Sequence, residues 1–223
     1  MDEENEPESI PNENLDLESD EYDDDVAELS LEQVIEIMEE AWLNEKFAPE
    51  ILPNKREIVE ILLGQIGHMD QKVQHLDSLD FKRAFYQKEI NRLKFLVTSY
   101  LRMRLEKIET FSKHILQQER LRVTNNENLY LSQNELEFAQ EYEENLNQHF
   151  ESVMSFCPTV MNEEALIVKP NMRSIVFLKA KKDIEGILVD ESNDITDLST
   201  GSRILICYNN VANLVKSGDV HLL

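Results

Sequence analysis

Glycine and proline are scarce, five and six in 223 residues, which excludes a collagen-like or loop-dominated chain. Cysteine is scarcer still. The two present, Cys157 and Cys207, lie far apart without any CxxC context, which suits two free thiols in a reducing compartment better than a disulfide framework. No apolar run approaches the roughly 18 residues of a membrane span, and the acidic N-terminus has no apolar h-region. A soluble, intracellular protein is expected, with no membrane partner. Signatures of common chemistry are also missing: no GxxxxGK[ST], GxGxxG, HExxH or GxSxG occurs. His68 and His75 share a helix face without a third ligand at metal spacing, and His114, His149 and His221 are isolated. Carboxylate pairs such as Glu143-Glu144 and Glu163-Glu164 follow from the acidic composition and are no sign of acid-base work. The expectation is a non-enzyme with no catalytic residue, no metal and no cofactor.

Charge is present in excess and unevenly placed. Against 45 Asp and Glu there are 22 Lys and Arg, for a net charge of -23. Residues 1–28 hold 14 acids and no base, the composition of a disordered, solubilising tail. Within that tail Ile10, Leu15, Leu17, Tyr22 and Val26 allow a short docking motif, and Ser19 sits in an acidic Ser-Asp-Glu setting suited to phosphorylation. Residues 82–122 reverse the sign, with 11 Lys or Arg and 4 Asp or Glu. The same stretch carries Ile90, Leu93, Val97, Tyr100, Arg104, Ile108, Phe111 and Ile115 at intervals of three or four, with Leu96, Leu101, Leu105 and Leu116 beside them. That spacing predicts one helix of about 40 residues from near Leu79 to Glu119. Its length exceeds what a small private core requires, so part of its surface is expected to serve other chains. Arg104 falls on the apolar seam; if buried, it needs a carboxylate or several carbonyls.

Three shorter helices accompany it. Ser30 and Gln33 form a capping box, with Leu29 against Val34 as a hydrophobic staple, opening a helix that ends at Ala48-Pro49. A second starts after Pro53 with Asn54 as its cap, and Gly64 and Gly67 inside it point to a close approach of another backbone. Asp77 or Ser78 separates it from the long helix. Ser132 and Glu135 with Leu131 and Leu136 repeat the box and staple for a fourth helix, which stops at Cys157-Pro158. An antiparallel four-helix bundle over residues 29–157 is the natural packing. After a linker at 158–167 the pattern changes. Short Val- and Ile-rich runs at Ile175–Leu178, Ile184–Val189, Ile204–Cys207 and Val220–Leu223, a loop at Asp190–Gly201 and a short helix at Asn209–Ser217 make 168–223 a small, mostly-β module. The fold class is therefore α+β, mainly α.

The segment Trp42-Leu-Asn-Glu-Lys-Phe-Ala-Pro-Glu50, then Ser99-Tyr-Leu-Arg-Met-Arg-Leu-Glu-Lys-Ile-Glu109, then Leu131-Ser-Gln-Asn-Glu-Leu-Glu-Phe-Ala139, resembles the Sld-five family of GINS replication-complex subunits. Ser174-Ile-Val-Phe-Leu178, Gly186-Ile-Leu-Val189 and Leu214-Val-Lys-Ser-Gly218 follow in the family's order. The likeness covers about 29–223; the tail and the loop from Leu121 to Tyr130 fall outside it and inherit no role. It implies a nuclear heterotetramer of four related subunits, each with a helical A domain and a small β-rich B domain. The tetramer joins the Mcm ring and the Cdc-forty-five protein in the replicative helicase, whose ATPase belongs to the Mcm ring. This chain would be a non-catalytic scaffold, its partners the three other GINS subunits and its contact with DNA indirect.

Residues expected to meet partners are Trp42, Phe47 and Pro49 at the first helix end, Leu96, Tyr100, Leu101, Arg104, Leu105 and Ile108 on the long helix, and Leu222 and Leu223 in the terminal strand. The alternative reading is direct nucleic-acid binding by the basic helix 82–122, tested by removing Arg92, Lys94 and Arg102 and following the salt dependence of affinity.

Overall fold

A computed structural model describes residues 30–77, 80–155, 167–188 and 195–223. The acidic tail, the staple residue Leu29, Cys157, Pro158 and most of the proposed linker lie outside the described residues. The helices are α1 (Leu31–Phe47), α2 (Arg56–His75), α3 (Phe81–Asn125) and α4 (Gln133–Met154). Mainly helical structure followed by a small strand-containing module is the architecture expected from the sequence.

Both capping boxes form. The Ser30 Oγ accepts from the Gln33 amide at 3.3 Å while Gln33 Oε1 accepts from the Ser30 amide at 2.9 Å. Ser132 and Glu135 repeat the exchange at the start of α4. The start of α2 differs from expectation. Lys55 occupies its cap position without a side-chain bond, and Asn54, one residue earlier, accepts from the Arg56 amide at 3.3 Å and donates its own amide to the Tyr130 carbonyl at 3.2 Å. Asn54 thus ties the helix to a distant loop. Helix α3 opens on Asp80, whose carboxylate accepts from the Lys82 amide at 2.9 Å, and closes on Asn126 in the left-handed region at φ 58°. Its 45 residues span about 67 Å. The backbone departs from helix at Phe111 (φ -120°, ψ 26°), where Thr110 Oγ1 donates to the Glu106 carbonyl at 2.7 Å, a back-bond that bends helices.

Helix α1 runs in the same direction as α3: Glu39 meets Arg92, Trp42 meets Ser99, and Glu45 meets Arg104. Helix α2 runs the opposite way, with Asp70 on Lys94 and the Lys55 amide donating to the Tyr100 hydroxyl at 3.1 Å. An alternating bundle would send α4 antiparallel to α3, but it runs parallel, with Glu135 on Arg104 and Glu143 beside Arg120. The cause lies in the connecting loop, which doubles back along α3. Glu119 accepts from the Tyr130 and Leu131 amides, and Arg104 holds the Tyr130 carbonyl. Gly64 and Gly67 are exposed, and open space surrounds the place where a Cβ would project, so no backbone among the described residues approaches them. Gly64→Ala and Gly67→Ala should each stabilise the chain by about 0.5–1 kcal/mol. Urea unfolding of each variant measures this, and a lower midpoint would contradict it.

The C-terminal module contains β1 (Ile175–Ala180), β2 (Ile184–Leu188), β3 (Ile195–Leu198), β4 (Arg203–Cys207), α5 (Tyr208–Ser217) and β5 (Val220–Leu222). Antiparallel pairing gives the order β4-β1-β5, with β2 and β3 as a separate ribbon. Strand β3 lies where the sequence reads as a loop; its four residues, Ile-Thr-Asp-Leu, alternate too briefly to outweigh the polar residues before them. The segment between α1 and α2 joins the two parts of the molecule. Ala48 and Leu52 pack in the core of the sheet module with Leu178, Tyr208 and Val220, whereas Ile51 packs against α3 and α4 with Ile108 and Leu131. Glu50 accepts from the Tyr208 hydroxyl at 2.9 Å and pairs with Lys216 at 2.7 Å, and Asn44 accepts from the Leu222 amide at 2.8 Å.

Candidate interaction surfaces

Burying Arg104 completely (0% exposed) removes a permanent cation from water, a cost offset only by partners with good geometry. Five are supplied. Nε and Nη2 grip Glu135 of α4 at 2.6 and 3.1 Å, Nη1 reaches Glu45 of α1 at 3.2 Å and the Leu52 carbonyl at 2.7 Å, and Nη2 reaches the Tyr130 carbonyl at 2.8 Å. Lys107, one turn on, adds the Glu45 carboxylate and the Glu50 carbonyl, each at 2.8 Å. Burial alone would push the guanidinium down, but Glu135 and Glu45 outweigh it and hold Arg104 above its ordinary value. Burial likewise opposes the charge on Glu135, and Arg104 outweighs that to hold the carboxyl below the usual range. Burial pushes the Tyr100 phenol up to about 12, and lowers Lys107 despite Glu45. Four elements converge on this network, which fixes how they dock.

Of the residues expected to meet partners, Leu96, Tyr100, Arg104, Ile108 and Leu222 are buried inside this chain. Their side chains serve its own core. Trp42 is half-buried, its Nε1 donating to Ser99 Oγ at 3.0 Å with Phe95 edge-on. Pro49 and Leu223 are half-buried, and the Leu223 amide donates to the Phe177 carbonyl at 2.9 Å. Phe47, Leu101 and Leu105 remain exposed, at 39%, 38% and 38%. Leu101 lines a groove of about 190 Å³ with Val59, Leu63 and the polar network at the meeting of α2, α3 and α4.

Two apolar surfaces escape the sequence reading. On the outer face of the sheet, Phe177 pairs with Leu205 and Ile175 with Cys207; Ile175, Leu205 and Phe177 are 67%, 57% and 44% exposed. The unbroken run Ile175-Val-Phe-Leu178 is the available signal, since a strand with one wet face alternates. At the other end of the molecule, Phe81 and Phe85 stack edge to face, exposed at 74% and 59%.

Six of the eleven cations of the basic helix are paired within the chain. Arg92 pairs with Glu39 and Glu89, Lys94 with Asp70, Arg104 and Lys107 with Glu45, Arg120 with Glu143, and Arg122 with Glu119. Lys82, Arg83, Lys88, Arg102 and Lys113 make no ion pair among the described residues.

Two imidazoles record the burial of the joint between the modules. His114 is lowered by burial and Lys169; His221 is lowered by burial, with Glu40 opposing and Lys179, Lys181 and Arg203 adding to it. Below their ordinary 6.5 the unfolded chain binds protons that the folded chain refuses, so acid favours unfolding. Stability should be level above that pH, decline beneath it, and decline again below 4.5, where protonation of Glu135 removes a contribution its lowered value supplies. Thermal melts across this range measure it. His221→Gln with His114→Gln should flatten the first decline, and an unchanged profile in that variant would refute the assignment.

Comparison with known proteins places these features in a family. A model described as the GINS complex protein helical bundle domain matches residues 54–154, and one described as DNA replication complex GINS protein SLD5 C-terminus matches 170–223. The DNA replication complex GINS protein SLD5 of Mus musculus is 40% identical over 200 residues, covering 86% of this chain and 89% of the relative. That of Xenopus laevis is 40% identical over 210 residues, 90% and 95%. The Schizosaccharomyces pombe protein of the same description is 25% identical over 194 residues, 82% and 88%. With the helical domain and the strand-bearing module matched in order, and 40% identity sustained across both, the chain belongs to the SLD5 family of GINS proteins.

Proposed function

We propose that the chain is a non-catalytic scaffold subunit of the heterotetrameric GINS complex in the nucleus. It holds the three other GINS subunits and, through the tetramer, the Mcm ring and the Cdc-forty-five protein, supporting the replicative helicase in initiation and elongation. Its organisation in that role is an acidic tail at 1–28, an A domain at 29–157, a linker at 158–167 and a B domain at 168–223.

The observation that carries this reading is the amount of apolar surface left exposed on a helix too long for one core. Phe81, Phe85, Phe95, Leu101, Leu105, Leu121 and Val123 are all exposed along α3. Surface of that kind is costly in an isolated subunit and marks association. The internal neutralisation of Arg92 and Lys94 takes charge from the nucleic-acid reading, because cations already paired release fewer counterions on meeting phosphate. Co-expression with the three other GINS subunits, followed by size-exclusion chromatography with light scattering, tests the proposal. A single species with one copy of each chain supports it; a well-behaved monomer that ignores those subunits overturns it.

A further inference from the structure

The sheet β4-β1-β5 has two edges, and only one of them is closed. On β5 the odd-numbered residues face β1, since the Lys181 amide donates to the Asp219 carbonyl and the Leu223 amide to the Phe177 carbonyl. The Leu222 amide therefore turns outward, and Asn44 of α1 accepts from it at 2.8 Å. On β4 the even-numbered residues face β1, since the Tyr208 amide donates to the Ser174 carbonyl and the Ala180 amide to the Ser202 carbonyl. The amides and carbonyls of Arg203 and Leu205 then point away from β1. Nothing among the described residues takes those of Leu205.

Side chains on the outer face beside that open edge fall into rows. Phe177 stands beside Leu205 with Ile175 next along β1, all three exposed. The following row is cationic, with Lys179 between Arg203 on β4 and His221 on β5. Lys179 and Arg203 make no ion pair among the described residues, although like charges facing each other across strands are unfavourable. Glu40 of α1, beside this row, is engaged by Lys181 and lies 4.0 Å from His221. We propose that β4 accepts an extended segment of a partner protein as a further antiparallel strand, with an apolar side chain opposite Leu205 and a carboxylate two residues later, opposite Arg203. Main-chain bonds at the open edge supply affinity, and alternate side chains read the two rows. A second copy of this chain fits less well, because its β4 brings another cationic row and no carboxylate. The site lies on the sheet module, away from the helical surface assigned to the other subunits, so it stands or falls apart from the scaffold reading.

Selection from a phage library of random peptides long enough for one strand tests it. The bait is the full chain in its co-expressed complex, with the Leu205→Glu variant of that complex for counter-selection. Leu205 is 57% exposed, so the variant should fold, which circular dichroism checks. Enriched peptides should carry an apolar residue with Asp or Glu two positions later. Fluorescence anisotropy of the synthesised peptides then reads the geometry. N-methylation of that apolar residue removes the donor to the Leu205 carbonyl and should weaken binding about tenfold. Arg203→Glu should turn the preference from Glu to Lys at the acidic position. No enrichment over an unrelated bait, enriched sequences without the acid, or equal binding after N-methylation would overturn the proposal. Self-association of the complex that Leu205→Glu abolishes would also overturn it, by making a second copy the occupant. Each of these failures in an intact tetramer leaves the scaffold reading in place.

Discussion

Arg104→Met is expected to leave little or no folded chain. The substitution fills much of the space but strands Glu135 without its cation, leaves Glu45, 1% exposed, with Lys107 alone, and frees the Leu52 and Tyr130 carbonyls. Breaking a buried pair by removing one partner costs about 3–5 kcal/mol, a large share of the roughly 5–15 kcal/mol that holds a domain together. Arg104→Lys should rescue part of this loss, since one ammonium cannot grip a carboxylate of α4 and two loop carbonyls from one planar fork. Adding Glu135→Gln to Arg104→Met should recover part of the loss, because the penalty is that of unpaired charge, whereas adding Glu45→Gln should not, since it takes the carboxylate from Lys107. Urea unfolding of the four variants, with soluble yield as a first reading, decides it. A cost below about 1 kcal/mol for Arg104→Met would show the network to be dispensable.

The second large effect falls on assembly. Leu101→Asp with Leu105→Asp places two carboxylates on α3 where both side chains are already 38% exposed, so the isolated fold should lose little. If this surface packs against another GINS subunit, the same carboxylates become buried and unpaired, which costs several kcal/mol and should abolish recovery of the tetramer. The control is Gln117→Asp, exposed further along α3 and outside the apolar residues named above. Full tetramer yield from the double variant, with circular dichroism unchanged, would remove the α2–α3–α4 groove from the interface.

Why some of this was legible in the sequence follows from the range of the forces involved. The capping boxes at Ser30 and Ser132 are local, closed within four residues, and both form as the sequence implies. The demand made by Arg104 was also legible, because a cation on an apolar seam has few fates; its partners were not, since Glu45 and Glu135 lie 59 and 31 residues away. The parallel course of α4 depends on Glu119 capturing the amides of Tyr130 and Leu131, a contact with no periodic signature. Periodicity reports which face of a helix is apolar and cannot distinguish a residue buried by its own chain from one buried by another. For that reason Tyr100 and Ile108, buried here, and Leu101 and Leu105, exposed here, read alike. Strand β3 was missed because a short strand held by a hairpin partner needs no propensity of its own.

The short segment from Ala48 to Leu52 belongs to two cores at once, its alternate side chains shared between the sheet module and the helices. Covalent continuity between α4 and β1 is therefore not what keeps the halves together. A chain cleaved anywhere between Met154 and Ile175 would behave as two fragments of one protein, the C-terminal one held by Tyr208, Lys216 and Leu222 on a segment that stays with the other. Such a nick would be silent in any separation carried out under native conditions and visible only once the fold is undone.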